Sequence, residues 1–236
     1  MLFGINFNLY YLILIGNVRT ALKSEELHWY LGIIGISTLA IAVNISGIVN
    51  GAGQCLRYAF FQVGSIITTT GYSTADFNEW PTFSKAILLM LMVIGGCAGS
   101  TGGVKVSRVV IACKSIVRNM RRLLHPHAVQ SIRVDDNPVD KKDAHAVMVF
   151  LAAFFMLFAV LFLITSLDGY DMVTSATAVL ACISNIGPGL ELVGPLGSFA
   201  IFSAPVKIVL SFGMLFGRLE LFPMMMLFVP STWHRS

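Results

Sequence analysis

Uncharged apolar blocks alternate along the chain with short polar punctuation, and the block lengths predict the elements. Leu31 to Val49 runs for 19 residues without a charge, close to the ~20 that a helix needs to cross a hydrocarbon core of roughly 30 Å. Ala146 to Ile164 is a second uncharged run of 19 residues. Tyr58 to Ile67 is apolar for only ten residues, stops at Thr68-Thr69-Thr70-Gly71-Tyr72, and is followed by Asp76, Glu79 and Pro81. Ten residues cannot cross, so this segment is predicted to dip into the membrane and return. Asp171 to Ile186 is also too short to span comfortably and closes at Ser184-Asn185-Ile186-Gly187-Pro188-Gly189. From Ala86 a helical apolar pattern resumes, breaks at Gly95-Gly96-Cys97-Ala98-Gly99-Ser100-Thr101-Gly102-Gly103 and continues to about Val117. Ser198 to Val229 is predicted as another long helix, with Lys207 near its start and Arg218 and Glu220 inside it. The two spanning runs start 115 residues apart, and the turn glycines Gly71 and Gly187 lie 116 apart. Two copies of one unit (span, short re-entrant helix, glycine turn, span) account for nearly everything after residue 30.

Composition removes the soluble alternatives. Of 236 residues, 56% are hydrophobic and 12% charged, against about a quarter charged in ordinary soluble domains. Such a chain is neither a disordered tail, nor a disulfide-rich secreted module, nor an ordinary cytosolic enzyme, because none of these keeps so much apolar surface from water. The formal charge of +4 would suit a nucleic-acid partner, but the basic residues sit between apolar blocks and form no stripe, so none is expected. Cys55, Cys97, Cys113 and Cys182 show no C-x-x-C spacing; all four are expected to be small packing residues rather than metal ligands or disulfide partners. Residues 1 to 16 are apolar, but Arg19 and Lys23 follow that run instead of preceding it, so no signal peptide is expected.

Loop charge gives an orientation. Arg19, Lys23, Lys114, Arg118, Arg121, Arg122, Arg133, Lys141 and Lys142 fall in segments 17–30 and 114–143, whereas the opposite loops hold only Arg57 and, at a helix entrance, Lys85. The basic side is therefore expected to face the cytoplasm. Asp76, Glu79, Asp168, Asp171 and Glu191 fall on the other side, where an acidic mouth would concentrate cations.

A backbone turn at membrane depth is tolerated only when buried in protein or lining an aqueous path. After Thr69-Thr70, Gly71 permits a backbone conformation that turns successive carbonyl oxygens toward one axis, where they can replace the hydration shell of a monovalent cation. Gly187 has the same place in the second copy. Each turn could also be a plain extracellular turn; recurrence in both copies favours the filter. Ser184 and Asn185 replace the threonines and could orient the second loop by hydrogen bonding. Five glycines in Gly95 to Gly103 are too many for a packing face alone, since each costs a helix ~1 kcal/mol relative to alanine. An unwound intramembrane loop is expected there, able to act as a gate; the pattern of a phosphate-binding loop is absent. Aligning Lys85 with Lys207 brings Arg218 to the level of that loop. Arg218 is then either a barrier in the path, a partner of Glu220, or a side chain snorkelling toward the cytoplasm. His125, His127 and His145 are expected to be solvated loop histidines, and Met224 to Met226 to be packing filler.

These motifs, taken together and in order, resemble the TrkH proteins of the Trk/Ktr/HKT potassium-transport superfamily. The similarity runs through Gly4-Ile5-Asn6-Phe7, Ser65 to Phe77, Gly95 to Gly103, His125 to Val129, Asn185 to Leu190 and Leu215 to Glu220. The resemblance implies an all-α membrane protein of the inner membrane, multi-pass, with tandem membrane helix, re-entrant pore helix, membrane helix repeats of a pseudo-fourfold cation channel fold. It implies K⁺ uptake, the alternative being a non-conducting fragment or assembly subunit of a membrane complex; no enzymatic activity is expected, because the intramembrane segments lack paired acid and base groups or metal ligands. It places the selectivity filter at Thr69, Thr70, Gly71, Tyr72, Asn185, Ile186, Gly187 and Pro188, with K⁺ held at Thr70, Gly71, Ile186 and Gly187. The gate falls at Gly95, Gly96, Gly99, Ser100, Thr101, Gly102, Gly103 and Arg218.

The chain looks like the third and fourth of four units. Residues 1–30 then form the tail of a preceding helix and a linker, 31–118 the first pore repeat, 119–143 a basic cytoplasmic loop, and 144–236 the second pore repeat. Two turns cannot close a four-sided ring, so the resemblance implies an N-terminal half or a second copy as partner. It also implies a homodimer of pores, surrounding membrane lipid, and a TrkA-like cytosolic nucleotide-binding regulator, with no cofactor besides the transported K⁺. Gly102-Gly103 is followed directly by Val104, where the family commonly has a third glycine, so a tighter gate loop is expected.

Overall fold

The computed structural model describes residues 2–49, 51–97, 101–124, 132–135 and 137–219. Nine α-helices are present among them: α1 (Phe7–Leu14), α2 (Val18–Leu22), α3 (Glu25–Ile45), α4 (Ala52–Ile67), α5 (Thr82–Ile94), α6 (Val106–Leu124), α7 (Lys141–Thr165), α8 (Met172–Ile183) and α9 (Ala204–Arg218). A two-residue antiparallel pair, β1 (Arg133–Val134) and β2 (Asn137–Pro138), lies between α6 and α7 and pairs Arg133 with Pro138 and Val134 with Asn137.

α3 and α7 are the two helices among the described residues long and apolar enough to cross a membrane. Each begins before its uncharged run, because charged residues at a helix end can sit in the interface while the helix continues. Glu25 and Glu26 occupy the first turn of α3, where the positive end of the helix dipole favours carboxylates. Trp29, Ile36 and Val43 recur at seven-residue spacing on α3 and are 50%, 73% and 74% exposed. In water that stripe would be costly; against acyl chains it is not. Phe155, Met156 and Leu163 form the corresponding exposed surface of α7.

α4 and α8 are short. At 1.5 Å per residue, 16 and 12 residues reach about 24 and 18 Å, less than a bilayer core. Both are largely enclosed: Val63, Ile66 and Ile67 of α4 and Val179, Cys182 and Ile183 of α8 join Ile41, Ile45, Leu88, Met92 and Phe154 in one buried cluster. α5 and α6 are separated by residues 95–105, so the second apolar helix of the first half is broken where the glycines accumulate.

Three expectations are corrected. The last helix starts at Ala204, not Ser198, because Pro205 occupies its first turn and the preceding Phe199–Ile201 is a separate 3₁₀ turn; residues after Leu219 lie outside the described set, including Glu220 and Met224 to Met226. Cys113 is exposed on α6, whereas Cys55, Cys97 and Cys182 are buried. His145 is an exposed residue of α7 rather than of a loop; His125 and His127 lie outside the described residues.

Candidate permeation site

The chain leaves both short helices by the same hydrogen bonds. After α4, the amides of Thr68, Thr69 and Thr70 donate to the carbonyls of Gly64, Ile66 and Ser65 at 3.2, 3.0 and 2.9 Å. After α8, Ser184, Asn185 and Ile186 donate to Leu180, Cys182 and Ala181 at 2.9, 3.1 and 3.0 Å. Every pair is related by a shift of 116 residues. Thr69 and Asn185 both take φ 53°, and Gly71 and Gly187 follow at φ 78° and 110°. A β-branched threonine in the left-handed region is uncommon and strained, while asparagine tolerates it. Side chains hold each turn in place. The Thr68 hydroxyl donates to Gly64 O at 2.7 Å and lies 2.7 Å from the Thr70 hydroxyl, and the Ser65 hydroxyl donates to Tyr72 O. Asn185 Nδ2 donates to Met214 O at 3.0 Å, so its side chain anchors the second turn to α9.

The turns meet. A β-carbon on Gly71 would lie 1.9 Å from the Ile186 carbonyl oxygen, so the backbones touch where Gly71 has no side chain. Ile186 and Ser184 are buried; Thr70, Tyr72 and Gly187 are exposed, and Thr69, Asn185 and Pro188 are half-buried. Nothing lies within 4 Å of the corresponding position on Gly187. A groove of about 330 Å³, lined among others by Phe60, Gly64, Ser65, Thr68 and Thr70, opens beside the first turn. The pair is thus in contact on one side, and each turn also has an open flank. The C-terminal ends of α4 and α8, which carry the partial negative charge of the helix dipole, both lead into the turns.

The glycine-rich segment lies against the same helix ends. Gly95 and Gly103 take φ 66° and 73°, and a β-carbon on Gly95 would lie 2.3 Å from Gly102 O. The amides of Val104 and Val106 donate to Val93 O at 3.0 Å and Gly96 O at 3.3 Å, closing the loop at its base. Gly102 touches both halves: its N donates to Thr69 Oγ1 at 3.3 Å, and a side chain on it would meet Ser184 O at 2.0 Å. Cys97 N donates to Gly4 O at 2.8 Å, so the N-terminal segment packs on the loop as well. Thr101 is buried; Gly99 and Ser100 lie outside the described residues.

Arg218 ends α9 and lines, with Lys105, Arg108, Thr101 and Phe154, a cavity of about 20 Å³ beside the loop, room for about one water molecule. Arg108 stacks over the Phe150 ring at 3.9 Å, a cation–π contact. The sequence hinted at this basic group only through Lys105 and Arg108 three residues apart after the glycines.

The outer acidic residues also hold the loops in place. Asp76 Oδ1 accepts from Asn78 N at 2.9 Å, Asp171 Oδ2 caps α8 through Val173 N at 3.0 Å, and Asp168 holds Ser203 through its amide at 2.8 Å and its hydroxyl at 2.7 Å. Glu191 pairs with Lys85 at 3.0 Å. Four of the five carboxylates named thus hold loops together, and of these four Glu191 is the one paired with a cation among the described residues. Sequence reasoning also missed Asn78, whose Nδ2 donates to Glu191 O and whose Oδ1 accepts from Glu191 N, both at 2.9 Å. That reciprocal pair joins the outer loops of the two halves, and no local pattern announces it. No group of three or more metal-ligating side chains occurs among the described residues.

Comparison with known proteins gives this geometry its context. The family model TrkH, described as a cation transport protein, matches residues 33–235. The Trk system potassium uptake protein TrkH of Salmonella typhimurium is 36% identical over 236 residues, covering 98% of this chain and 48% of the relative. TrkH of Vibrio parahaemolyticus is 40% identical over 176 residues, 74% of this chain and 36% of that protein. The crystal structure of the potassium transporter TrkH from Vibrio parahaemolyticus superimposes with a TM-score of 0.89 at 32% identity, covering 99% of this chain and 51% of that one. The chain spans about half the length of the curated relatives it matches. With the matched region extending through both turns and the glycine loop, the chain belongs to the TrkH family of cation transport proteins.

Proposed function

We propose that this chain supplies two of the filter turns of a K⁺ uptake pathway in the inner membrane, as half of a TrkH-like pore. The observation that carries the proposal is the contact of Gly71 with Ile186 O between two turns of the same hydrogen-bond register, with open space at Gly187 and beside Thr70. Backbone carbonyls at Thr70, Gly71, Ile186 and Gly187 are the K⁺ ligands in this reading, flanked by Thr69, Tyr72, Asn185 and Pro188. Helix C-termini add negative potential at the same place. A head-to-tail contact with an open end at each side is what one half of a closed ring presents. An N-terminal half or a second copy completes it, and the resemblance adds a homodimer of pores and a TrkA-like regulator on the basic face. Residues 31–118 and 144–236 are the two pore repeats, residues 1–30 the tail of a preceding helix and a linker, and residues 119–143 the basic cytoplasmic loop. The reading involves transport, not catalysis.

The gate in this reading is the loop Gly95 to Gly103, whose Gly96 and Gly102 lie against the ends of α4 and α8, with Arg218, Lys105 and Arg108 setting a positive potential that a cation must pass. The alternative is a non-conducting assembly subunit, which the same open flanks would also suit. Radioactive Rb⁺ uptake in a K⁺-uptake-deficient strain separates the two. Rescue by the chain, alone or with a co-expressed N-terminal half, is expected; membrane-inserted protein with no uptake in either arrangement leaves the assembly role.

A further inference from the structure

The glycine loop is continuous with α6, and α6 is clipped on its basic side to the start of α3. Val106 N bonds to Gly96 O, so the first turn of α6 is fastened to the loop. Lys114 lies eight residues further on, about 12 Å along a helix. Its Nζ donates to Glu25 Oε2 and to Arg133 O. Ser24, the N-cap of α3, makes no capping bond with its own side chain; Asp135 supplies the cap instead, accepting from Glu25 N and, at 3.4 Å, from the Ser24 hydroxyl. Asp135 sits in the turn between β1 and β2, and that turn is seated by the buried Ile132, whose carbonyl accepts from Val139 N at 2.8 Å. Three segments far apart in sequence, α3, α6 and the hairpin, therefore close one ring of charge-assisted hydrogen bonds.

We infer that Lys114 and Asp135 are positioning residues for the described flanks of the glycine loop: their clip holds α6 against α3 and so keeps Gly96 and Gly102 seated on the two turns. The inference rests on the transport reading for its consequence, but not for its geometry. An ion pair about one-third exposed on each side is weak by itself, and a helix cap is modest. Such a clip is one that a change at the basic face can open.

Cys97 reports the state of the loop directly, because it is buried within it. In a Cys113→Ser background, the rate at which a water-soluble thiol reagent modifies Cys97 is measured in inverted membrane vesicles by mass spectrometry of the labelled peptide. Lys114→Met and Asp135→Asn should each raise that rate about three- to tenfold, the scale set by one exposed pair and one cap. Glu25→Gln alone should raise it, and Glu25→Gln with Lys114→Met should be no faster than Lys114→Met alone, which two independent losses of packing would not do. Unchanged labelling in both single variants, or fully additive effects in the double variant, overturns the inference. Rb⁺ uptake measured in the same strains, with the N-terminal half present, should rise a few-fold. A parent with no uptake refutes the transport reading, while the Cys97 rates still decide the clip.

Discussion

Gly71 and Ile186 approach so closely that a β-carbon on the first would stand 1.9 Å from the carbonyl oxygen of the second. Backbone oxygen cannot rotate out of the way as a side chain would, and Gly71 also takes φ 78°. Gly71→Ala therefore combines a left-handed alanine, about 1–2 kcal/mol, with a main-chain clash of about 1–3 kcal/mol. Gly187→Ala carries only the first penalty, since nothing stands near that position. Thermal denaturation of the isolated chain in detergent should show a markedly larger loss for Gly71→Ala. In a completed pore, where another turn would face Gly187, Rb⁺ uptake should fail in both.

Asn78 and Glu191 give a second prediction, concerning stability rather than conduction. Asn78→Ala removes two hydrogen bonds to the Glu191 backbone and leaves a residue at φ 54° without its support. A loss of about 1–3 kcal/mol is expected. Lys85→Met breaks the exposed ion pair with Glu191 alone and should cost at most about 1 kcal/mol. Melting temperatures of the two variants should fall in that order; equal shifts would mean that the ion pair, not the amide clamp, joins the loops.

What was legible in the sequence was local. Uncharged runs located α3 and α7, although hydropathy put their starts six and five residues late, at Leu31 and Ala146 instead of Glu25 and Lys141; charged ends are invisible to an apolar count. The glycine spacing located both turns, since left-handed backbone leaves a compositional trace. Pro205 carried the signal for the true start of α9 and was passed over because the apolar run continued through it. Long-range contacts left no trace: neither the Asn78–Glu191 pair nor the Lys114–Glu25–Asp135 ring has any periodicity, and each joins residues more than 80 positions apart. The structural bonds of the outer carboxylates left no trace for the same reason, because a capping and a solvated carboxylate look alike in a sequence.

Asn185 offers a test of backbone strain against anchoring. Its φ of 53° suits asparagine, and its amide holds Met214 O. Asn185→Ala loses both advantages, whereas Asn185→Gly loses the hydrogen bond but keeps the conformation. Asn185→Ala should be the less stable of the two by about 1 kcal/mol, and the difference is read from paired denaturation curves. Were Asn185→Gly the worse, the extra chain entropy of glycine in the unfolded state would outweigh the backbone strain at this turn.

Gly102 tests the proposed gate. A side chain there would meet Ser184 O at 2.0 Å, so Gly102→Ala cannot keep this part of the loop where it lies between Thr69 and Ser184. Either the loop or the second turn must give. The loop is expected to yield, since Gly102 lies outside any helix, whereas Ser184 is fixed to α8 at Leu180 O. Displacement of the loop should remove the constriction, raise Rb⁺ uptake in the completed pore and speed thiol labelling of Cys97. Displacement of the turn should abolish uptake while leaving Cys97 protected. The two measurements together therefore state which side of the contact yields, and increased uptake with faster labelling is the outcome expected of a gate.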